Sequence, residues 1–449
     1  MILWTSVRWA LALLPTFAIL PCAPAENEAE AVTLGEAVEL ALKRHPDVEK
    51  ARVAADILKG KIREVRAQAL PDVSVNSGFT RWRDPSLLNA SGLDKFPAEL
   101  RDALVPSPVN LFDYHIALKQ PIYTAGKVGT ALRLASVEAE GALSDIDRAR
   151  QDLALEVTRA FYGLLWAERF AELTAETQRQ KQLHAEMART RFRNGVATEV
   201  DVLRSEVAVA NGAPELVRAR NAVRQSRAQL NYYLARPLDF PTRPAGDFQE
   251  KPLEQNTLEA LVFEAVRRRP ELSRLRIAER SAGVQVDLAR AESRAKVDFA
   301  ATYGIMSRLP SNLANSQFTR WTAGFTFNFP VFDGFRRSAL ISQALGVQRT
   351  ARLERQRVEE QVRLALQQGL DDTAAAEETI RAARANVSQA EKVLAMMQNN
   401  YKYGAATTLD IVDAQTAVSV ARTNLLRGLH DYTVARAGLR WTAGMTPWE

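Results

Sequence analysis

FRNGVATEVDVL occupies residues 192–203 and YKYGAATTLDIV occupies residues 401–412. Both read aromatic, two residues, glycine, two residues, threonine, two residues, aspartate and an apolar pair, at an offset of 209 residues (401 − 192). Gly195 and Gly404 suit the left-handed conformation that closes a helix. Thr198 and Thr407 suit the N-cap of the helix that follows. Each stretch therefore predicts a helix–turn–helix tip, and the chain builds that tip twice.

Upstream of each tip lies a long proline-free segment, about 126–194 and about 334–403. Leu132, Ala135, Ala139, Ala142, Ile146, Ala149 and Leu153 fall on one heptad seam of the first. Ile380, Ala383, Val387, Ala390, Leu394, Met397 and Tyr401 do the same in the second. This is coiled-coil patterning. Alanine recurs along both seams, and small seam residues let several helices approach closely. Roughly 70 helical residues at 1.5 Å each span about 100 Å. No globular core needs such a helix; a rod, a tether or a tunnel wall does.

The duplication extends further. TLGEAVELALKRHPDVEKAR (33–52) aligns with TLEALVFEAVRRRPELSRLR (257–276), and QPIYTAGK (120–127) with FPVFDGFR (329–336). The first repeat is placed at 26–235, with strands at about 72–82 and 110–122 and helices at about 126–194 and 198–235. The second is placed at 257–449, with strands at about 296–307 and 318–332 and helices at about 334–403 and 407–443. RPLDFPTRPAGDFQEKPLEQN (236–256) reads as a Pro-rich linker. His45-Pro46-Asp47 has the form of the chaperone J-domain tripeptide. Its counterpart is Arg269-Pro270-Glu271, so the shared feature is the proline, and helix interruption is the expected role.

The four strand segments alternate with period two. In 321–329, Trp321, Ala323, Phe325, Phe327 and Phe329 oppose Thr322, Gly324, Thr326 and Asn328. Phe112, Tyr114, Ile116 and Leu118 oppose Asp113, His115, Ala117 and Lys119. An ordinary half-buried sheet shows the same alternation. Strand lengths of about 9–11 residues, a small hydrophilic face and aromatics on the apolar face point instead to a transmembrane β-barrel. Four strands cannot close, and open edges are not tolerated in lipid. Several copies of the chain are therefore expected to share one barrel.

The chain has 449 residues, 47% hydrophobic and 25% charged, with a formal net charge of +6. Its basic residues are interleaved with acids along helices, so solvated faces are expected and nucleic acid is not. MILWTSVRWALALLPTFAILPCAPA (1–25) reads as an export signal. It has a basic start at Arg8, an apolar stretch from Trp9 to Leu20, and an Ala23-Pro24-Ala25 cleavage site. The sole cysteine, Cys22, would leave with it; the alternative is a lipid-modified N-terminus at Cys22, which Pro21 suits poorly. His45, His115, His184 and His430 are scattered. No catalytic arrangement, metal-ligand spacing or phosphate-binding loop is evident, so no enzyme, metal or cofactor is expected.

The two-fold repeat, the QPIYTAGK and FPVFDGFR junctions and the paired G-x-x-T-x-x-D tips resemble the TolC family of outer-membrane efflux proteins, over essentially the whole mature chain. The resemblance implies a mixed α+β membrane protein in which long α-helical coiled-coil hairpins form a periplasmic α-barrel and four strands join a shared transmembrane β-barrel. It implies a homotrimer in outer-membrane lipid, docking a periplasmic adaptor (membrane fusion) protein and an inner-membrane pump of RND or ABC type. The loops at about 83–109 and 308–317 would face outside. An aspartate ring at the closed tip would fall on Asp410 and Asp413; ordinary helix-start acids are the competing reading. Gating links would fall on Tyr401 and Asp201. Where the family's best-known member carries an arginine two residues after the glycine, this chain has Ala406, and Arg204 is the candidate substitute. The alternative function is a non-conducting periplasmic coiled-coil tether of the envelope, which leaves the four amphipathic strands unexplained.

Overall fold

The structure, a computed structural model, describes residues 30–83, 97, 108–248, 250 and 257–448. The signal sequence, Cys22 and nearly all of the 83–109 loop lie outside these. In chain order the elements are β1 (Glu30–Val32), α1 (Leu34–Arg44), α2 (Pro46–Ala67), β2 (Asp72–Trp82), β3 (Val109–Tyr123), α3 (Lys127–Arg193) and α4 (Glu199–Tyr233). There follow β4 (Thr242–Pro244), α5 (Leu258–Arg268), α6 (Pro270–Glu292), β5 (Lys296–Ser307), β6 (Thr319–Asn328), α7 (Arg336–Lys402) and α8 (Thr408–Thr442). The duplication is visible in the lengths: α3 and α7 each have 67 residues, α4 and α8 each have 35, and α1 and α5 each have 11. The last strand stops at Asn328, short of the expected 332, and 329–335 form the turn into α7.

Local chemistry fixes each boundary. Thr33 and Glu36 form a capping box at α1, and the Thr257 hydroxyl caps α5. Pro46 and Pro270 occupy the first positions of α2 and α6, where the missing N–H costs nothing. The His-Pro-Asp tripeptide is thus a helix junction. At the entries to α3 and α7 the chain takes two consecutive left-handed residues, Ala125 and Gly126 in one copy and Gly334 and Phe335 in the other. Each junction has one glycine, but not at the same position.

Sixty-seven residues at about 1.5 Å each make α3 and α7 rods of about 100 Å. The sheet-proximal half of α3 packs against α2 and α6, and its far half against α4 and α8. α7 packs against α6 near the sheet and α8 beyond. Four helices therefore stand abreast at each height, with α2 and α4 on one flank and α7 on the other.

Ion pairs run along the antiparallel α3–α6 seam: Lys127–Glu292 at 2.8 Å, Arg133–Asp287 at 2.8 Å, Arg280–Glu140, and Arg274–Asp145 at 3.1 Å. Exposed pairs contribute about 0–1 kcal/mol each. Their value here is register, since a one-turn slip would break all four. Apolar burial contributes more to stability. Val38, Val48, Val157, Leu164, Leu230 and Leu234 form one core where α1 crosses α3 and α4. Leu261, Leu272, Val362 and Leu366 form its counterpart in the second repeat. Each fully buried Leu or Val contributes about 1.5–3 kcal/mol. The first core meets the linker at Phe248, and the 236–248 stretch is held by Asn231. That amide donates to the Leu238 and Phe240 carbonyls at 3.1 and 2.8 Å, and its oxygen accepts from the Thr242 hydroxyl at 2.6 Å.

Candidate functional site

Two regions stand apart from the packed middle: the sheet at one end and the paired turns at the other. The sheet has the order β2-β3-β5-β6, all antiparallel, with β2 and β6 as open edges. Its register sorts the side chains into rows. Val75, Ile116, Tyr303 and Trp321 lie side by side across all four strands. So do Ser74, Ala117, Thr302 and Thr322 on the opposite face, where the two threonine hydroxyls meet at 2.6 Å. The apolar row is bare: Val75 is 80% and Trp321 71% exposed. A row of four large apolar side chains with nothing against it is not the half-buried sheet of a soluble protein.

Asn76, His115, Gly304 and Arg320 form the next row of the polar face. His115 meets the Asp113 carboxylate at 3.0 Å. Gly304 lets β5 approach β3 closely, since a Cβ there would lie 2.0 Å from the Tyr114 carbonyl oxygen and 2.5 Å from the His115 Cα. Among the described residues no helix is long and apolar enough to cross a membrane.

At the other end, Gly195 and Gly404 take φ of 75° and 78°. The N–H groups of Val196 and Ala405 reach back to the Arg191 and Asn400 carbonyls, 2.9 Å in each case. This is the six-to-one closure of a Schellman motif. Thr198 and Thr407 then cap α4 and α8, each in a capping box completed by the aspartate three residues on. The Asp201 carboxylate accepts from the Thr198 N–H at 3.1 Å and hydroxyl at 2.7 Å. Asp410 accepts from the Thr407 N–H and hydroxyl, both at 2.7 Å. These hydrogen bonds hold both carboxyls below the usual carboxylate range, chiefly through the Thr198 hydroxyl at Asp201 and the Thr407 N–H at Asp410. Asp413 is exposed one turn further along α8.

The contact between the two hairpins centres on Tyr401. Its ring is buried, and the Arg191 guanidinium lies 4.3 Å from its centroid. The same guanidinium donates to the Tyr401 carbonyl at 2.8 Å. The Tyr401 hydroxyl lies 3.4 Å from the Thr408 hydroxyl, and the Thr408 side chain also helps hold the Asp201 carboxyl low. The structure thus brings Tyr401 and Asp201 together through Thr408. The arginine across from Tyr401 is Arg191. Arg204 instead lies beside Asp201, where its charge helps hold that carboxyl low.

Arg191 and Thr408 escape sequence reasoning because each has an adequate local role. An arginine in the last turn of a helix reads as a dipole partner, and a threonine beside an N-cap threonine reads as redundant capping. The available signal is the comparison of the two copies: at the 209-residue offset Arg191 faces Asn400.

The profile of the family described as "Outer membrane efflux protein" matches residues 37–236 and 261–445. The chain is 25% identical over 340 residues to the alkaline protease secretion protein AprF of Pseudomonas aeruginosa, covering 74% of this chain and 69% of that one. It is 23% identical to the outer membrane protein TolC of Escherichia coli, covering 96% and 86%. Its fold superposes on the crystal structure of the CmeC outer membrane channel of Campylobacter jejuni with a TM-score of 0.77 at 15% identity, covering 92% of this chain and 85% of that one. With bare apolar rows at one end of a helical wall and duplicated turns at the other, the chain belongs to the outer membrane efflux protein family, the exit ducts that carry efflux and secretion traffic through the outer membrane.

Proposed function

We propose that three copies of this chain close one continuous duct, with a 12-stranded barrel in the outer membrane and a helical barrel in the periplasm. The observation that carries this reading is the four-stranded sheet with a bare apolar face and two open edges. β2 follows α2 and β6 leads into α7, so the sheet edges continue the two flanks of the helical wall. Those flanks carry exposed apolar side chains: Val53 and Ile57 on α2, Leu345, Leu353 and Leu364 on α7. One flank of each copy meets the other flank of the next. Such head-to-tail contacts generate a ring when the rotation closes, and closure satisfies every strand edge.

In this duct the Gly195 and Gly404 turns form the inner mouth, six in all. They engage a periplasmic adaptor and an inner-membrane pump, of RND or ABC type, which supplies the energy. Asp410 and Asp413 surround the axis there and bias it toward cations, and the hairpin contact at Tyr401 keeps the mouth narrow. AprF is named for secretion of a protease, and a further relative, FusA of Burkholderia cepacia, for fusaric acid resistance; both protein and small-molecule cargo are compatible with a duct of this form. A non-conducting tether accounts for the rods but leaves the bare Val75–Trp321 row without purpose.

The test is the mass of the detergent-extracted protein by light scattering, corrected for bound detergent, followed by conductance in planar bilayers. A conducting trimer is expected. A stable monomer, or a trimer that passes no current, refutes the duct.

A further inference from the structure

His184 lies on α3 two turns before Arg191. It is 2% exposed, and neither ring nitrogen has a hydrogen-bond partner among the described residues. A neutral imidazole carries one donor and one acceptor, and leaving both buried and unmade is destabilising. Capping and coiled-coil packing do not call for this residue. Its counterpart in the second repeat, Val393, is 41% exposed, so the copies do not share a buried polar group here.

The surroundings say what the histidine could do. Its ring packs on Tyr401, centroids 5.6 Å apart, against the residue that Arg191 holds from α3. Both line a pocket of about 300 Å³ between α3, α7 and α8, together with Met187, Gln398, Ile411 and Gln415. The Gln415 side-chain oxygen is also buried, with no partner among the described residues. We propose that His184 is a proton-operated element of the hairpin latch: neutral, it fills the space beside Tyr401 and lets the two hairpins close, and protonated, it drives them apart. This rests on the reading that the hairpin tips form the mouth of a duct.

The charges around it decide the direction. α3 contributes Arg191, on Tyr401; α7 contributes Tyr401 itself and Lys402, which lines the same pocket. α4 contributes Asp201, with Arg204 beside it, and α8 presents the uncharged Ile411 and Gln415. Among the described residues Asp201 is the one anion acting on His184, and its carboxylate is already engaged by the Thr198 N–H and hydroxyl. Burial outweighs it and pushes the imidazole below the ordinary histidine value.

A group whose affinity for a proton is lower in the latched state favours latching above its unperturbed value of about 6.5. As pH falls from there through the depressed value, latching weakens; below that value the effect levels off. One site changes the latch equilibrium by at most about tenfold per pH unit, and three copies opening together multiply it.

The experiment is open probability in planar bilayers between pH 8 and pH 5, for the wild-type trimer and for His184→Phe and His184→Gln. Phenylalanine keeps the ring without the proton; glutamine keeps polarity and is the second variant should the first fail to assemble. Wild type should open on acidification and then level off, with that rise absent from either assembled variant. Asp410→Ala with Asp413→Ala should keep it, which separates His184 from titration of the aspartates. A wild-type profile that is flat, or a variant that keeps the wild-type rise, overturns the inference while the duct stands. A trimer that conducts at no pH overturns the duct and the inference with it.

Discussion

Replacing Arg191 by alanine is the sharpest probe of the tip. The side chain makes two contacts with Tyr401 across the hairpins: a charge-assisted hydrogen bond to the carbonyl at 2.8 Å and a stack at 4.3 Å from the ring centroid. A hydrogen bond to a charged group contributes about 1.5 kcal/mol at the low end, fitting for a half-exposed donor. A cation–π contact at such a site adds about 0.5–1 kcal/mol. Together they come to about 2 kcal/mol per copy, or roughly 30-fold in the latch equilibrium at about 1.4 kcal/mol per decade. The assay is open probability of the reconstituted trimer at pH 8, where His184 is neutral. Arg191→Ala should raise it by at least about 30-fold, and Arg191→Lys by less, because an ammonium keeps the charge but not the planar stack. Tyr401→Phe should change little, since it keeps both the ring and the carbonyl and loses only a hydroxyl contact of 3.4 Å. An intact Arg191→Ala trimer within twofold of wild type refutes the reasoning. A large effect of Tyr401→Phe would show that the hydroxyl path through Thr408, rather than Arg191, holds the hairpins.

Gly304→Val should prevent assembly of the sheet, because its Cβ would fall 2.0 Å from a backbone carbonyl that pairing holds in place; the check is the loss of heat-modifiable trimer on gels, and normal assembly would show that the strands are spaced otherwise. Asp410→Ala combined with Asp413→Ala should shift the reversal potential in a salt gradient toward lower cation selectivity, and an unchanged potential removes these residues from the pore. Of the single variants, Asp413→Ala should give the larger shift.

What the sequence makes legible is whatever is periodic or local. Strand faces follow from alternation, so the Val75–Trp321 row needs only the register to complete it. Helix ends follow from capping chemistry, so Thr198, Thr407, Pro46 and Pro270 announce themselves. The extent of β6 is less legible: Phe329, Val331 and Phe332 continue the apolar composition, but Pro330 lacks a ladder donor and Gly334 and Phe335 turn the chain. The contact between the two hairpins is harder still. Arg191 and Tyr401 are 210 residues apart, and nothing in either local pattern refers to the other. The 1–25 signal, Cys22 and nearly all of the 83–109 loop lie outside the described residues.

The duplication itself separates folding from function. At the 209-residue offset Thr198 matches Thr407 and Asp201 matches Asp410, and the structure gives each pair the same capping geometry. Identity between the copies is therefore accounted for by the need to start a helix after a tight turn. The differences are not. Arg191 faces Asn400, Phe192 faces Tyr401, His184 faces Val393 and Arg204 faces Asp413. Arg191, Tyr401 and His184 meet where one hairpin touches the other. A tip that only had to fold would have no use for this asymmetry; a mouth in which one hairpin moves against the other does. The same logic weighs the two aspartates. Asp410 has a capping role that its twin in the first copy also performs, so its presence needs no pore. Asp413 stands where the first copy has an arginine, exposed and outside the capping box, and it is the stronger candidate for a charge that passing ions encounter.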